Sequence, residues 1–244
     1  MKTKILPLAL FLTISSAMAD SHPQWGYTGE GAPDNWGKLS QNFATCEKGM
    51  NQSPIDIKGA IKGELPPLSL TFHAEKKSIV NNGHTIQLTI QDGDTLMLDG
   101  TEFTLQQLHF HAPSENRIDG KTYPLEIHFV HSDSKGELAV IGVMVEEGAD
   151  NPVMADVLKN LPTKLNEPEA FKEPLALAHL VPGDKSYYRF SGSLTTPPCT
   201  EGVRWLIMKE SVTASKQQLH TIEKALGLHN NRPVQPLNGR IVIN

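Results

Sequence analysis

Leu105-Gln-Gln-Leu-His-Phe-His111 is the stretch on which the reading of this chain turns. As a strand its side chains alternate between two faces, so Leu108 and Phe110 point one way while Gln107, His109 and His111 point the other. Two imidazoles one residue apart on one face have Cα atoms roughly 6.5–7 Å apart at strand rise. Their ring nitrogens can therefore converge on one metal, since tetrahedral ligands about 2.0–2.1 Å from zinc lie only about 3.4 Å from one another. A His-x-His pair is equally what an ordinary polar strand face looks like. The metal reading needs a third ligand and partners that orient the rings.

Both are found on the next strand-like run, Leu125-Glu-Ile-His-Phe-Val-His131. Alternation sets Glu126, His128 and Val130 on one face, and Ile127 and Phe129 on the other. Glu126, two residues before His128, is placed to receive the N–H of a ligating imidazole, as Gln107 is beside His109; such partners fix the tautomer of a metal-bound ring. His131 falls on the opposite face from His128 and reads as a packed histidine. Three neutral histidines leave a divalent metal its full charge and an open fourth position. That is a catalytic arrangement, whereas structural zinc sites are usually closed by cysteines.

Around these strands the pattern is β-rich. Leu68–Phe72, His84–Ile90 and Thr95–Leu98 alternate, with Asp92-Gly93 and Asp99-Gly100 as turn signals. Leu138–Val145 is a nearly continuous apolar run, as expected of a strand buried on both faces. Val203–Met208 is a further strand candidate, and Gln52-Ser-Pro-Ile-Asp-Ile57 reads as a turn into an edge segment because Pro54 cannot sit in a central strand. Two helices are expected. One starts at Pro152 after Asn151; the other spans Ser215–Leu226 and stops at Gly227. His220 and His229 read as solvated. The segment from Trp25-Gly-Tyr to Trp36-Gly has no period and is expected to wrap the core as ordered loop. With no internal repeat and no linker, residues 20–244 read as one β-rich domain with peripheral helices.

Composition bounds the rest. In 244 residues, 39% are hydrophobic and 20% charged, and the net charge is −5, which gives no case for nucleic-acid binding. Lys2 and Lys4, an apolar Ile5–Ile14 and the small-x-small Ala17-Met18-Ala19 have the form of a signal peptide over residues 1–19. The apolar run is too short to span a membrane. An exported protein, periplasmic or secreted, is the expectation. In an oxidising compartment the two cysteines, Cys46 and Cys199, are most simply a disulfide. The loop Ser191-Gly-Ser-Leu-Thr-Thr-Pro-Pro-Cys199 would then be anchored by that bridge and by Pro197-Pro198. Such anchoring suggests that Thr195 or Thr196 must be held in one position.

At this point the chain resembles the α-class carbonic anhydrases. The resemblance runs through Trp25-Gly-Tyr27, Gln52-Ser-Pro-Ile55, Asn81-Asn-Gly-His84, Gln107-Leu-His-Phe-His111 with Ser114-Glu115, Glu126–His131, Ser193–Cys199 and Asn231-Arg-Pro-Val-Gln-Pro-Leu-Asn238. It implies a mainly β (α+β) fold, a large twisted and mostly antiparallel sheet with a few peripheral helices, and an active site in a conical cavity. It also implies reversible hydration of carbon dioxide to bicarbonate and a proton through a zinc-bound hydroxide. By match, His109, His111 and His128 would bind Zn2+, with Gln107 and Glu126 as their partners. Thr195 would orient the hydroxide and Glu115 would accept from Thr195; an ionised carboxylate can only accept, so the threonine hydroxyl must donate to it. Val130, Val140, Leu194, Val203 and Trp205 match the family's apolar pocket, with Thr196 beside them, and His84 matches its proton shuttle. Alternation alone instead sets His84 on the same face as Ile86 and Leu88, where a core histidine would sit, unless the chain bends there. Ala112-Pro113 replaces a Trp-Gly found in some members.

Two other readings carry their own expectations. His109-x-His111-x3-Glu115 has the spacing of a cupin metal motif, in which Glu115 would itself be a ligand of an oxygenase or isomerase metal. A non-catalytic binding or adhesion module on the same fold would typically lack a zinc histidine. The sequence does not set the oligomeric state, and a homodimer is compatible with it.

Overall fold

The structure is a computed structural model that describes residues 24–73, 77–90 and 93–244. The expected signal peptide lies outside the described residues, as does Asp92 of the Asp92-Gly93 turn. Among the described residues the strands are β1 (Asp56–Ile57), β2 (Ser69–Thr71), β3 (Lys77–Asn81), β4 (Ile86–Ile90), β5 (Thr95–Leu98), β6 (Thr101–His111), β7 (Arg117–Ile118), β8 (Leu125–Ser132), β9 (Leu138–Glu147), β10 (Glu169–Ala170), β11 (Tyr187–Ser193), β12 (Glu201–Met208) and β13 (Val212–Ala214). The helices are α1 (Trp36–Leu39), α2 (Thr45–Lys48), α3 (Pro152–Lys159) and α4 (Lys216–Leu226).

One large sheet runs β10-β3-β4-β6-β8-β9-β12-β11, with β5 beside β6, β2 beside β5, and β13 beside β9. Pairing is antiparallel except where β12 and β13 lie parallel to β9. The sheet is therefore mixed but mostly antiparallel, as expected. A separate parallel pair joins β1 to β7.

β9 shows why the fold holds. Ala139 to Val145 are all buried. Ala139, Ile141, Val143 and Val145 enter the larger core with Leu108, Phe110, Ile127 and Phe129, while Val140 and Met144 enter a second core with Trp205 and Ile207. Period-2 alternation thus divides one strand between two apolar layers. β6 needs a correction of parity to do the same. A register shift between Leu105 and Gln107 inserts Gln106 as an extra residue, so Phe103 and Leu105 on one side of the bulge, and Leu108 and Phe110 on the other, all reach the larger core. Gln107, His109 and His111 are then left on the opposite face.

The helices follow their caps. Asn151 Oδ1 accepts from Val153 and Met154 N–H, with Pro152 as the first residue of α3. Ser215 and Gln218 form a reciprocal capping box on α4, which ends at Gly227 with φ 70°. Two expectations are corrected. The N-terminal segment is not plain loop: it folds into single turns of helix at Gly29–Gly31, Pro33–Asn35, α1, Gln41–Phe43 and α2, each too short to show a period. The alternating run at His84 begins as a strand only at Ile86.

His131 lies on the core side of β8 as expected, 1% exposed, with Nδ1 3.0 Å from the Phe129 carbonyl oxygen. Burial pushes its pKa down to about 4, against the pull of hydrogen bonds with Phe129 and Ala139. An unfolded histidine titrates near 6.5. The unfolded chain therefore binds the extra proton first, and stability present above about pH 6.5 is lost as pH falls toward 4, by on the order of 3 kcal/mol. His131→Asn, which keeps a donor but does not titrate, is expected to flatten this acid limb. Urea unfolding at pH 5 and pH 7.5 measures it; an undiminished gap between the two would assign the loss to other groups.

Candidate metal centre

His109 and His128 are direct cross-strand partners on β6 and β8, and His111 follows His109 by one full alternation. The three rings meet with centroids 4.9 Å (His109–His111), 5.2 Å (His109–His128) and 4.5 Å (His111–His128) apart. One nitrogen from each ring can be chosen so that all three lie within 4.8 Å of one another.

The other nitrogens say which ones face inward. His109 Nδ1 is 2.7 Å from Gln107 Oε1, His111 Nδ1 is 2.7 Å from the Asn230 carbonyl oxygen, and His128 Nε2 is 2.9 Å from Glu126 Oε1. Each acceptor calls for an N–H on that nitrogen, leaving a lone pair on His109 Nε2, His111 Nε2 and His128 Nδ1. His111 Nε2 is buried with no hydrogen-bond partner. Burial, followed by the neighbouring His111 and His128, holds the His109 pKa well below its ordinary value. Burial also lowers that of His111, partly offset by the Asn230 hydrogen bond. Neutral rings with convergent lone pairs are what a divalent metal requires, and three nitrogen donors without a thiolate suit zinc with a fourth position open. The residues fit the ion.

Glu126 is held from every side. Its Oε2 accepts from Glu115 N–H and Asn116 N–H, both at 2.8 Å, and Oε1 accepts from Asn116 Nδ2 at 2.8 Å as well as from His128. Burial alone would raise its pKa, but His128 and these hydrogen bonds bring it below the usual value. Room for it comes from Gly142, opposite His128 on β9. A Cβ there would lie 2.9 Å from Glu126 Oε1 and 2.5 Å from Ile207 Cδ1.

Glu115 is buried behind the triad. Its Oε1 accepts from Arg232 N–H at 2.9 Å, and its Oε2 lies 3.5 Å from His111 Nε2. Burial pushes its pKa up to about 7 against the pull of His128, the Arg232 N–H and the Thr195 hydroxyl. Thr195 is 6% exposed, in the loop between β11 and β12. That loop is tied by the Cys46–Cys199 disulfide and by Leu194 N–H to Thr200 O at 2.9 Å.

A cavity of about 120 Å³ opens beside His109 and His111, lined also by Trp25, Tyr27, Asn82, His84, Thr85, Gln87, Gln107 and Thr196. His84 reaches it because the chain does bend there. Asn82 Oδ1 accepts from His84 N–H and Thr85 N–H, so His84 sits in a turn ahead of β4 instead of on its core face. Its ring stacks on Trp25 at 3.8 Å and 8°. Val130, Val140, Leu194, Val203 and Trp205 gather in one apolar cluster, and Trp205 lies 4.9 Å from the His128 ring. None of these five is among the residues lining the cavity.

Asn230 and Gly142 were not singled out from sequence, and Arg232 was quoted only within the Asn231–Asn238 motif, with no role given to it. Toward His111 and Glu115, Asn230 and Arg232 act through backbone groups, which carry no residue signature. A glycine within an apolar strand does signal close approach, and Gly142 could have been found that way.

The fold and site together define a class, a single-metal enzyme whose three-histidine centre sits on one face of a large mixed sheet. The sequence model of the eukaryotic-type carbonic anhydrase family matches residues 31–244, and the chain belongs to that family. It is 51% identical to the carbonic anhydrase of Pectobacterium carotovorum over 239 residues, 98% of each chain. Among solved structures it resembles the α-carbonic anhydrase of Thermovibrio ammonificans, determined with the inhibitor sulfanilamide, with TM-score 0.89 and 44% identity over 91% of this chain and 100% of that one. The Photobacterium profundum α-carbonic anhydrase follows with TM-score 0.86 and 48% identity over 91% and 100%. Neither the cupin nor the non-catalytic module is favoured by these matches.

Proposed function

We propose that His109, His111 and His128 hold the zinc of this enzyme, and that Thr195, Glu115 and His84 manage its protons. The enzyme hydrates carbon dioxide reversibly to bicarbonate and a proton, with zinc as its cofactor. One observation carries the assignment: three imidazole nitrogens converge while the opposite nitrogen of each ring is held by an acceptor. When bound, zinc supplies an acidified water, with a pKa of about 7 in carbonic anhydrases, the standard example of the effect.

The chain's own groups do the rest. With Glu115 ionised and its Oε1 taken by Arg232 N–H, the Thr195 hydroxyl must donate to the carboxylate. Thr195 then has only lone pairs to offer the attacking oxygen, so it accepts from that oxygen's remaining O–H and turns the free lone pair toward carbon dioxide. Carbon dioxide hydrogen-bonds weakly, which suits the apolar cluster of Val130, Val140, Leu194, Val203 and Trp205, with Thr196 in the cavity wall. His84, at the cavity wall, passes the product proton to buffer; burial lowers its pKa from an ordinary value already near neutral.

Residues 20–244 act as one catalytic domain in this reading, delivered outside the cytoplasm by the leader at 1–19, to the periplasm or beyond. The Cys46–Cys199 disulfide supports an oxidising compartment. No helix among the described residues is long and apolar enough to cross a membrane.

The test is zinc content of the purified protein together with stopped-flow hydration of carbon dioxide. A zinc-loaded protein no faster than background would sink the proposal. For His84→Ala, turnover in weak buffer is expected to fall and to recover in part when imidazole is added, while kcat/KM stays near that of the parent. Unchanged turnover in weak buffer would remove His84 from the proton path.

A further inference from the structure

The chemistry above uses neither the Gln52-Ser53 motif near the N-terminus nor the side chain of Arg232 near the C-terminus. In the fold they meet. The Arg232 guanidinium, 2% exposed, donates from Nη1 to Gln52 Oε1 at 2.9 Å and to Ser53 O at 2.8 Å, and from Nη2 to Cys46 O at 2.9 Å. Its face lies 5.5 Å from the Trp36 ring. A planar fork meeting three fixed acceptors has one orientation. The backbone N–H of the same residue is the one that holds Glu115 Oε1.

Gln52 and Ser53 in turn grip both ends of the loop that carries Thr195. At its start, Ser53 and Ser193 exchange hydrogen bonds, each backbone N–H to the other's Oγ, at 2.9 and 3.2 Å. At its end, Gln52 Nε2 donates to Cys199 O at 3.1 Å and to Glu201 Oε1 at 3.0 Å. Gln52, Ser53, Ser193 and Cys199 are all buried. The amide of Gln52 can take only one orientation here, oxygen to the guanidinium and nitrogen to the loop.

The geometry points to Gln52 and Arg232 as positioning residues for the hydration step: together they set Glu115 and the Thr195 loop against one shared reference. This rests on the roles proposed above for Thr195 and Glu115. Neither positioning residue touches substrate or metal. Each instead fixes one side of the hydrogen bond proposed above from Thr195 to Glu115, whose alignment decides where the attacking oxygen's lone pair points. The disulfide alone would fix Cys199 to Cys46 but would leave the loop's register against Glu115 free.

Gln52→Glu is the selective test. It keeps an acceptor for Arg232, removes the donor to Cys199 O, and sets a carboxylate against Glu201. Wild-type enzyme is measured first, because a wild type without zinc-dependent hydration would sink the reading of the site and not the positioning. In Q52E, kcat/KM for carbon dioxide hydration is expected to fall about tenfold. Zinc content and circular dichroism should match wild type, and imidazole should not restore the loss, unlike that of His84→Ala. The double variant Q52E/E201Q returns the donor–acceptor pair between positions 52 and 201 with its sense reversed, though not the donor to Cys199 O, and should recover part of the loss. Gly49→Ala reads the same contact without altering a donor or acceptor. Its φ of −63° suits any residue, and its added Cβ would lie 2.4 Å from both Gln52 Nε2 and Glu201 Oε1 and 2.7 Å from Thr45 O. The same selective fall in kcat/KM is expected there. Wild-type kcat/KM in folded, zinc-replete Q52E or G49A would overturn the positioning role.

Discussion

Replacing His128 by alanine is expected to strip zinc from the protein and bring hydration of carbon dioxide down to the uncatalysed rate. His128 is 1% exposed and lies directly opposite His109 in the sheet. Without it, two nitrogens remain, one residue apart on one strand, which is the unremarkable polar face that His-x-His presents elsewhere. The effect exceeds any second-contact change because the metal's acidified water, the only strong nucleophile in the site, goes with it. The carboxylate of Glu126 would stay ordered, since Glu115 N–H, Asn116 N–H and Asn116 Nδ2 still donate to it. A folded, metal-free protein is thus the expected product. Metal analysis after gel filtration and stopped-flow hydration measure the two halves. A full equivalent of zinc in His128→Ala would take His128 out of the ligand set. Glu126→Gln makes a graded comparison, with zinc affinity about 10–100-fold weaker, as for other partners of ligating histidines.

How far this centre could be read from sequence depends on where alternation survives. From Gln107 to His111 and from Glu126 to Val130 the strands are regular, so period-2 reasoning put the right side chains on the right faces. One residue further back it would have failed, because the bulge at Gln106 reverses parity and sends Leu105 to the core with Leu108. At His84 the pattern misled in the same way. The Asn82 turn ends the alternation two residues before β4 begins, and a histidine that looks apolar-facing stands instead at the cavity. The parallel placement of β12 and β13 on β9 left no local trace, since it is set by crossovers and not by strand composition. Least legible was the shell beyond the triad. His111 is oriented by a carbonyl 119 residues away and Glu115 by an N–H 117 residues away, and every residue type but proline has both groups.

Glu115→Gln is expected to lower kcat/KM by about 10²–10³-fold, the usual cost of losing one aligned hydrogen bond to the reacting oxygen, while leaving a full equivalent of zinc. Geometry alone makes this worth measuring. Glu115 Oε2 is buried and lies 3.5 Å from His111 Nε2 and 3.9 Å from His128 Nδ1. A carboxylate there could serve the metal directly, as the cupin reading required, or serve Thr195. The two roles separate on substitution. As a ligand, Glu115 would take the zinc with it when changed to an amide. As the acceptor for Thr195, it would leave the three nitrogens untouched and damage only the proton order. An amide nitrogen facing Thr195 would donate where the carboxylate accepted, so the threonine hydroxyl would turn its proton toward the attacking oxygen and block the lone pair aimed at carbon dioxide. Thr195→Ala should cost a similar amount by deleting the middle of the same relay. Because the two side chains act through one hydrogen bond, their effects should not add, and the double variant should be no slower than Thr195→Ala alone. Additive losses in that cycle, measured as kcat/KM in zinc-replete proteins, would separate Glu115 from Thr195 and leave the carboxylate without the role given to it here.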